Sequence, residues 1–287
     1  MADAKLFEKA FVTSDNVRLN FFQAGRGPVL VLLHGWSQCS VLFSAQVGAL
    51  SRLHTVFALD MRGHGGSEKP AYGYHISRLA KDLDEFLRHI GIYDSQSARV
   101  SLLGHSMGCA VIWSYVELFG TGLIDRLVLV DEGACLLVDP AWSSADRDRY
   151  GAIFSADAAF DMAARLSGDD GVAITRDMIG AMFTDGFPSA RLDAVIRYNL
   201  QMPRQFAATL LLSNIFNDWR GLVARIDRPV LVIGAEASVT ATGACAWLAE
   251  QIPGARLEIF AEDEGGSHFM FLENPEKFNA IVQNFLA

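Results

Sequence analysis

No apolar run in this chain approaches the ~20 residues needed to cross a bilayer. The N-terminus, MADAKLFEKAFVTSDNV, carries acids early and has no long apolar core, so it does not read as a secretory signal. Lys/Arg-rich runs are also missing and the net charge is −9, which removes the basic footprint that a nucleic-acid partner requires. Cysteine is scarce. Cys39, Cys109, Cys135 and Cys245 are spread out, with no CxxC pair and no metal-ligand spacing. They read as reduced, mostly buried thiols of a cytoplasmic protein that holds no metal. Internal repeats and low-complexity tracts are absent as well.

What remains is an ordinary globular composition, 51% hydrophobic and 20% charged over 287 residues. That length suits one large α/β domain, or one domain with an insertion. An alternating stretch at 17–25 precedes near-continuous apolar runs at 28–35, 54–60, 99–105, 125–131, 229–235 and 255–261. Runs of this kind mark strands buried on both faces, as in a parallel sheet. Between them, 76–90 sets Leu79, Leu83, Phe86, Leu87 and Ile90 on one helical stripe, and 245–252 and 275–286 read as amphipathic helices. The expected fold is therefore a mostly parallel, doubly wound α/β sheet. Residues 134–225 contain no convincing strand and are rich in Ala, Met, Phe, Trp and Asp at helical spacing. They read as an inserted helical lid. The core then divides into 1–133 and 226–287.

One stretch carries chemistry. Gly104-His105-Ser106-Met107-Gly108 ends an apolar strand and is followed at once by a helical pattern. A G-x-S-x-G in that context is a sharp strand-to-helix turn that presents its serine in strained geometry, with no room for side chains at the two glycines. The helix N-terminus offers free N–H groups to an oxyanion forming beside Ser106. These residues make the chain resemble the α/β-hydrolase superfamily over nearly its whole length. LLHGWSQ (32–38) resembles the oxyanion loop, DMRGHGGSEKP (60–70) a characteristic polar turn, and EGGSHFMFLENPEKF (264–278) the histidine loop and final helix. Within the superfamily the chain is similar to non-heme chloroperoxidase-like hydrolases and, more distantly, to fungal zearalenone-type lactonases.

The resemblance implies a fold and a set of roles. Ser106 is the nucleophile, and His268, late in the chain, is its base. The backbone amides of Trp36 and Met107 form the oxyanion hole. Gly35, Trp36, His105, Phe183, Phe187 and Trp219 are candidates for contacting substrate. The acid departs from the family pattern, because VIGAEASVT (232–240) has no aspartate where one is usual, near Ala237 or Ser238. LVLVDEGA (127–134) offers Asp131 first and Glu132 next, and Glu236 is a third candidate. Asp60, Arg62 and Ser67 read as a polar turn bonding its own backbone. The expected activity is cofactor-independent hydrolysis of a small hydrophobic ester or lactone by a monomer or homodimer, with no nucleic-acid or membrane partner. A perhydrolase running the same triad on hydrogen peroxide is the alternative, and a receptor on a hydrolase fold is a more remote one. Dehalogenase and epoxide-hydrolase chemistry would need an aspartate at position 106.

Overall fold

The computed structural model describes residues 7–95 and 97–287. Eight strands form one sheet: β1 (Phe7–Val12), β2 (Arg18–Ala24), β3 (Val29–Leu33), β4 (Thr55–Leu59), β5 (Val100–His105), β6 (Ile124–Val130), β7 (Val230–Ala235) and β8 (Arg256–Phe260). Their order is β1-β2-β4-β3-β5-β6-β7-β8. The β1–β2 and β2–β4 pairs are antiparallel, and every other pair is parallel. Seven of these strands coincide with the apolar runs. β1 was not expected, because its edge position leaves most of it exposed and its sequence, FEKAFV, carries no continuous apolar run.

Alternation along each inner strand feeds two cores. Val31 and Leu33 of β3, Leu127 and Leu129 of β6, and Val230 and Val232 of β7 enter one cluster. Leu30 and Leu32, Val128 and Val130, and Leu231 and Ile233 enter the other. A strand buried on both faces has no polar side to display, which is why these runs are continuous rather than alternating.

Helices α1 (Ser44–Leu50), α2 (Ile76–His89) and α3 (Met107–Phe119) follow β3, β4 and β5. Six helices lie between β6 and β7: α4 (Ser144–Tyr150), α5 (Ala156–Ser167), α6 (Gly171–Gly180), α7 (Ser189–Asn199), α8 (Arg204–Ile215) and α9 (Arg220–Val223). No named strand interrupts them; only isolated bridges join Cys135 to Asp218 and Leu137 to Phe154. After β7 come α10 (Thr242–Gln251), α11 (Met270–Glu273) and α12 (Pro275–Leu286). Apolar residues of α2, α3 and α10 pack in the first cluster, and those of α1 and α12 in the second, so helices cover both faces. Among the described residues no helix is long and apolar enough to cross a membrane. The four cysteines are buried and unpaired.

Candidate active site

The turns after β3, β5, β6, β7 and β8 converge at the carboxyl ends of neighbouring strands, where open α/β sheets form their crevices. Backbone strain collects there. Among the described residues four non-glycine residues have positive φ, and three of them, Ser37, Ser106 and Asp131, lie in these turns.

Ser106 sits at φ 53°, ψ −128°, and α3 starts at the next residue. Its own amide donates to Val130 O at 2.8 Å, which ties the turn to β6. The flanking glycines have no space for a side chain. A Cβ on Gly108 would lie 2.3 Å from Leu33 O, and one on Gly104 would lie 2.6 Å from the Gly108 backbone. Ser106 is the only residue between 100 and 116 that is not buried. Met107 opens α3, so its N–H has no intrahelical acceptor by position.

The loop after β3 approaches closely, since a Cβ on Gly35 would stand 3.0 Å from Ser106 Cβ. Its shape is fixed from behind. Ser37 N donates to His64 Nε2 at 3.2 Å, and Gly35 N donates to Gln38 Oε1 at 3.0 Å. Met61 N donates to His34 Nε2 at 3.1 Å. Burial pushes both His34 and His64 below the ordinary histidine value, so they act as neutral props. From the helical segment, Trp36 Nε1 donates to Ala207 O at 2.7 Å. Arg204 donates to Ser37 Oγ at 2.8 Å, Asn199 O at 2.7 Å and Thr175 Oγ1 at 2.9 Å. Arg204 is lowered to about 10 by burial.

The structure joins His268 to Asp131. His268 Nδ1 lies 2.6 Å from Asp131 Oδ2, with both side chains buried. Ser238 Oγ donates to the same carboxylate oxygen, and Thr240 N donates to Ser238 Oγ at 3.2 Å. Burial raises Asp131 above the usual carboxylate value, while the His268 and Ser238 hydrogen bonds pull it down. The histidine loop is braced by Ala237 N donating to Gly266 O at 2.8 Å.

The other two acid candidates lie elsewhere. Glu236 is exposed and accepts from Glu262 N at 3.1 Å, so it does not reach His268. Glu132 is 5% exposed, burial pushes its carboxyl up to about 8, and His268 Nδ1 bonds Asp131 instead.

The remaining candidates separate in the same way. His105 is fully buried, with Nε2 2.8 Å from His268 O and Nδ1 3.1 Å from Gln38 Oε1. Both ring nitrogens are committed to the frame. Trp219 is buried against Trp113, and its amide donates to Ala134 O at 2.8 Å. Phe183 stacks on Phe269, the residue after His268, with centroids 4.6 Å apart. Phe187 stacks on Phe183 at 4.3 Å and lines a surface cavity of about 780 Å³ beside Arg191, Glu236, Glu264 and Glu273. In the polar turn, Asp60 accepts from Ser40 N at 2.7 Å and Gly66 N at 2.8 Å, and Arg62 is forked onto Asp82 at 2.9 Å. Sequence reasoning missed Gln38, although it closes the LLHGWSQ stretch, and Arg204, which no motif marks; Ser238, a hydroxyl standing where an acid is usual, left a trace in the sequence.

Residues 30–281 match the family model described as the alpha/beta hydrolase family. A non-heme chloroperoxidase of Kitasatospora aureofaciens is 27% identical over 291 residues, covering 96% of this chain and 98% of that protein. A bromoperoxidase from Bacillus anthracis superposes with TM-score 0.86 at 19% identity, over 98% of this chain and 99% of its own. An esterase from Exiguobacterium antarcticum superposes with TM-score 0.85 at 21% identity, over 97% and 99%.

Proposed function

Because the chain belongs to the alpha/beta hydrolase family, we propose that it is a cofactor-independent serine hydrolase of a small hydrophobic carboxylic ester or lactone. Ser106 Oγ attacks the carbonyl carbon while His268 Nε2 takes its proton, and the Trp36 and Met107 amides receive the oxyanion. Collapse expels the alkoxide, which recovers the proton from His268. Water, deprotonated by His268, then cleaves the acyl-enzyme to the carboxylic acid. Asp131 orients the imidazole and stabilises its protonated form without taking the proton.

The observation that carries this reading is the buried 2.6 Å contact between His268 and Asp131, delivered to the same strand ends as the strained Ser106 turn. Helices α4–α9 act as the cap (134–225), anchored to the oxyanion loop by Trp36, Ser37 and Arg204. Phe183, beside His268, is the first pocket wall in this reading. Unpaired, buried thiols fit a reducing cytoplasm.

The experiment is intact-mass detection of a fluorophosphonate adduct. One adduct on the wild type and none on Ser106→Ala supports an activated serine. No adduct on folded wild type refutes it. Likeness to the chloroperoxidase supports one further assay, peracid formation from a short carboxylic acid and hydrogen peroxide, in which peroxide replaces water at the acyl-enzyme.

A further inference from the structure

Two turns meet beside the His268 imidazole. The one after β6 brings a carboxylate, and the one after β7 brings a hydroxyl to that carboxylate. Ser238 Oγ donates to Asp131 Oδ2, the oxygen that also bonds His268 Nδ1 at 2.6 Å. Thr240 N donates to Ser238 Oγ at 3.2 Å, and Thr240 Oγ1 donates to Asp131 O at 3.4 Å. A serine hydroxyl has one proton, so with Thr240 N on a lone pair that proton is committed to Asp131. Asp131 Oδ1 is buried and has no hydrogen-bond partner among the described residues. From those residues the buried anion therefore receives two side-chain donors, both at one oxygen. The turn that carries Ser238 is also in register with the histidine loop: Ala237 N donates to Gly266 O at 2.8 Å, and Ala237 bridges to Ser267, the residue before His268.

Resting on the serine-hydrolase reading, we propose that Ser238 is a positioning residue for the acid–base pair: its hydroxyl, held by Thr240 N, fixes the Asp131 carboxylate against His268 Nδ1 and supplies the second donor that the buried anion needs. The physical reasons are geometry and charge. The last torsion of an aspartate is broad, so a carboxylate with one partner turns easily, and a second donor at the same oxygen holds that oxygen toward the imidazole. A buried carboxylate is costly unless it is hydrogen-bonded. With a neutral imidazole the pair carries one negative charge, and with an imidazolium it carries none. The Ser238 hydroxyl favours the charged state, so it lets His268 release its proton at lower pH and serve as a base there.

Other titratable groups surround the pair. Burial raises Asp131 itself, against the His268 and Ser238 bonds that lower it. His105 at the end of β5 lies 4.6 Å from the His268 ring, and burial pushes it well below the ordinary histidine value. Cys109 on α3 and Cys245 on α10 feel the Asp131 charge, and burial lifts both thiols well above theirs. Glu132, next to Asp131, is pushed up to about 8 by burial, and its titration is common to every variant compared below. Glu236, on the same turn as Ser238, faces away and accepts from Glu262 N at 3.1 Å. A shift in the acid-side pH response on changing Ser238 therefore reports the Asp131–His268 pair.

The test is the rate of fluorophosphonate labelling of the full chain, from pH 5 to 8.5. Ser106 Oγ forms the P–O bond as the P–F bond breaks, fluoride leaves, and the proton passes to His268. Ser238→Ala removes one oxygen at a half-buried position. It should slow the plateau about tenfold and move the acid-side midpoint up by about one pH unit, the size of one hydrogen bond to a charged group. Ser238→Thr keeps the hydroxyl and should restore both rate and midpoint. In the Asp131→Asn background no carboxylate remains to be held, so Ser238→Ala should change the rate by less than about twofold. This cycle decides the matter if Ser238→Thr does not fold. A Ser238→Ala protein with the wild-type rate and midpoint overturns the role of Ser238, and so does a tenfold loss that persists in the Asp131→Asn background; in either case labelling of wild type still upholds Ser106. Failure of folded wild type to label at any of these pH values overturns the hydrolase reading instead.

Discussion

Replacing Asp131 with asparagine probes the proposed orienting acid, which arrives at the end of β6. The substitution suits the backbone: φ is 55° at this position, and asparagine adopts the left-handed region more readily than most residues. Alanine would add strain to the loss of charge. Asparagine removes the anion that lies 2.6 Å from His268 Nδ1 with both partners dry. It also offers the imidazole an N–H where an acceptor was, which favours the wrong tautomer. By analogy with other Ser-His-Asp enzymes the cost is about 10³ to 10⁴ in kcat, or roughly 4 to 5.5 kcal/mol at 1.36 kcal/mol per decade. The structure adds a rescue. Ser238 already bonds the same carboxylate oxygen from the turn after β7, so Ser238→Asp in the Asp131→Asn background puts a carboxylate within one hydrogen bond of the lost one. Position 238 is half-buried, so its desolvation cost is the smaller. The double variant should recover about 10- to 100-fold of the loss, and Ser238→Asp alone should weaken the enzyme by crowding two anions together. Hydrolysis of p-nitrophenyl acetate and fluorophosphonate labelling measure both. A loss of less than tenfold in Asp131→Asn would refute Asp131 as the orienting acid. A double variant no faster than the single would refute the equivalence of the two positions.

Gly108→Ala should abolish labelling and lower the urea midpoint, because its Cβ would meet Leu33 O at 2.3 Å and backbone cannot step aside; the cost is at least the ~1–3 kcal/mol of overpacking. Glu132→Gln should stabilise the fold in a pH-dependent way. The acid rises from 4.5 to about 8 on folding, so the native state binds the extra proton and wild type loses stability as pH climbs from 4.5 to about 8. The difference in melting temperature between variant and wild type should be near zero at pH 4.5 and level off above pH 8, with a ceiling of about 5 kcal/mol from 1.36 kcal/mol per pH unit; a difference that shrinks as pH rises would contradict this sign. Asp82→Asn should cost about 3 kcal/mol in urea unfolding, since Arg62 is fully buried and keeps only Asp15, while labelling of Ser106 stays at the wild-type rate.

The sheet was legible because burial on both faces writes itself as unbroken apolar runs, and such runs mark every inner strand. β1 escaped for the converse reason: at an edge, residues such as Glu8 and Lys9 face water, and nothing in their pattern separates a strand from a loop. Helix boundaries were clear where a stripe met a cap, as at α12, whose Asn274 side chain accepts from Lys277 N at 3.2 Å and whose first residue is Pro275. They were less clear at α10, which starts three residues before the stripe.

The site divides along another line. The positions of Ser106 and His268 were readable because each proposed job demands one residue type in one local setting, a tight strand-to-helix turn or the loop after the last strand. The acid's job demands only that a carboxylate reach Nδ1, and several chain positions can deliver one. Between Asp131 and Glu132, adjacent in sequence, the choice goes with a backbone angle: Asp131, at positive φ, has its carboxylate against His268. No composition or spacing encodes that angle. It arises where Asp131 N donates to Ile233 O at 2.8 Å as β6 ends against β7, a contact made across more than a hundred residues and closed only when the helical segment between them has folded. The same long-range closure brings Ala207 to Trp36 and Arg204 to Ser37. The strained turn that presents Ser106 is therefore a local property of this chain. The inserted helices brace the loop beside it through Ala207 and Arg204, and changes to those helices are expected to alter substrate choice before they alter the chemistry.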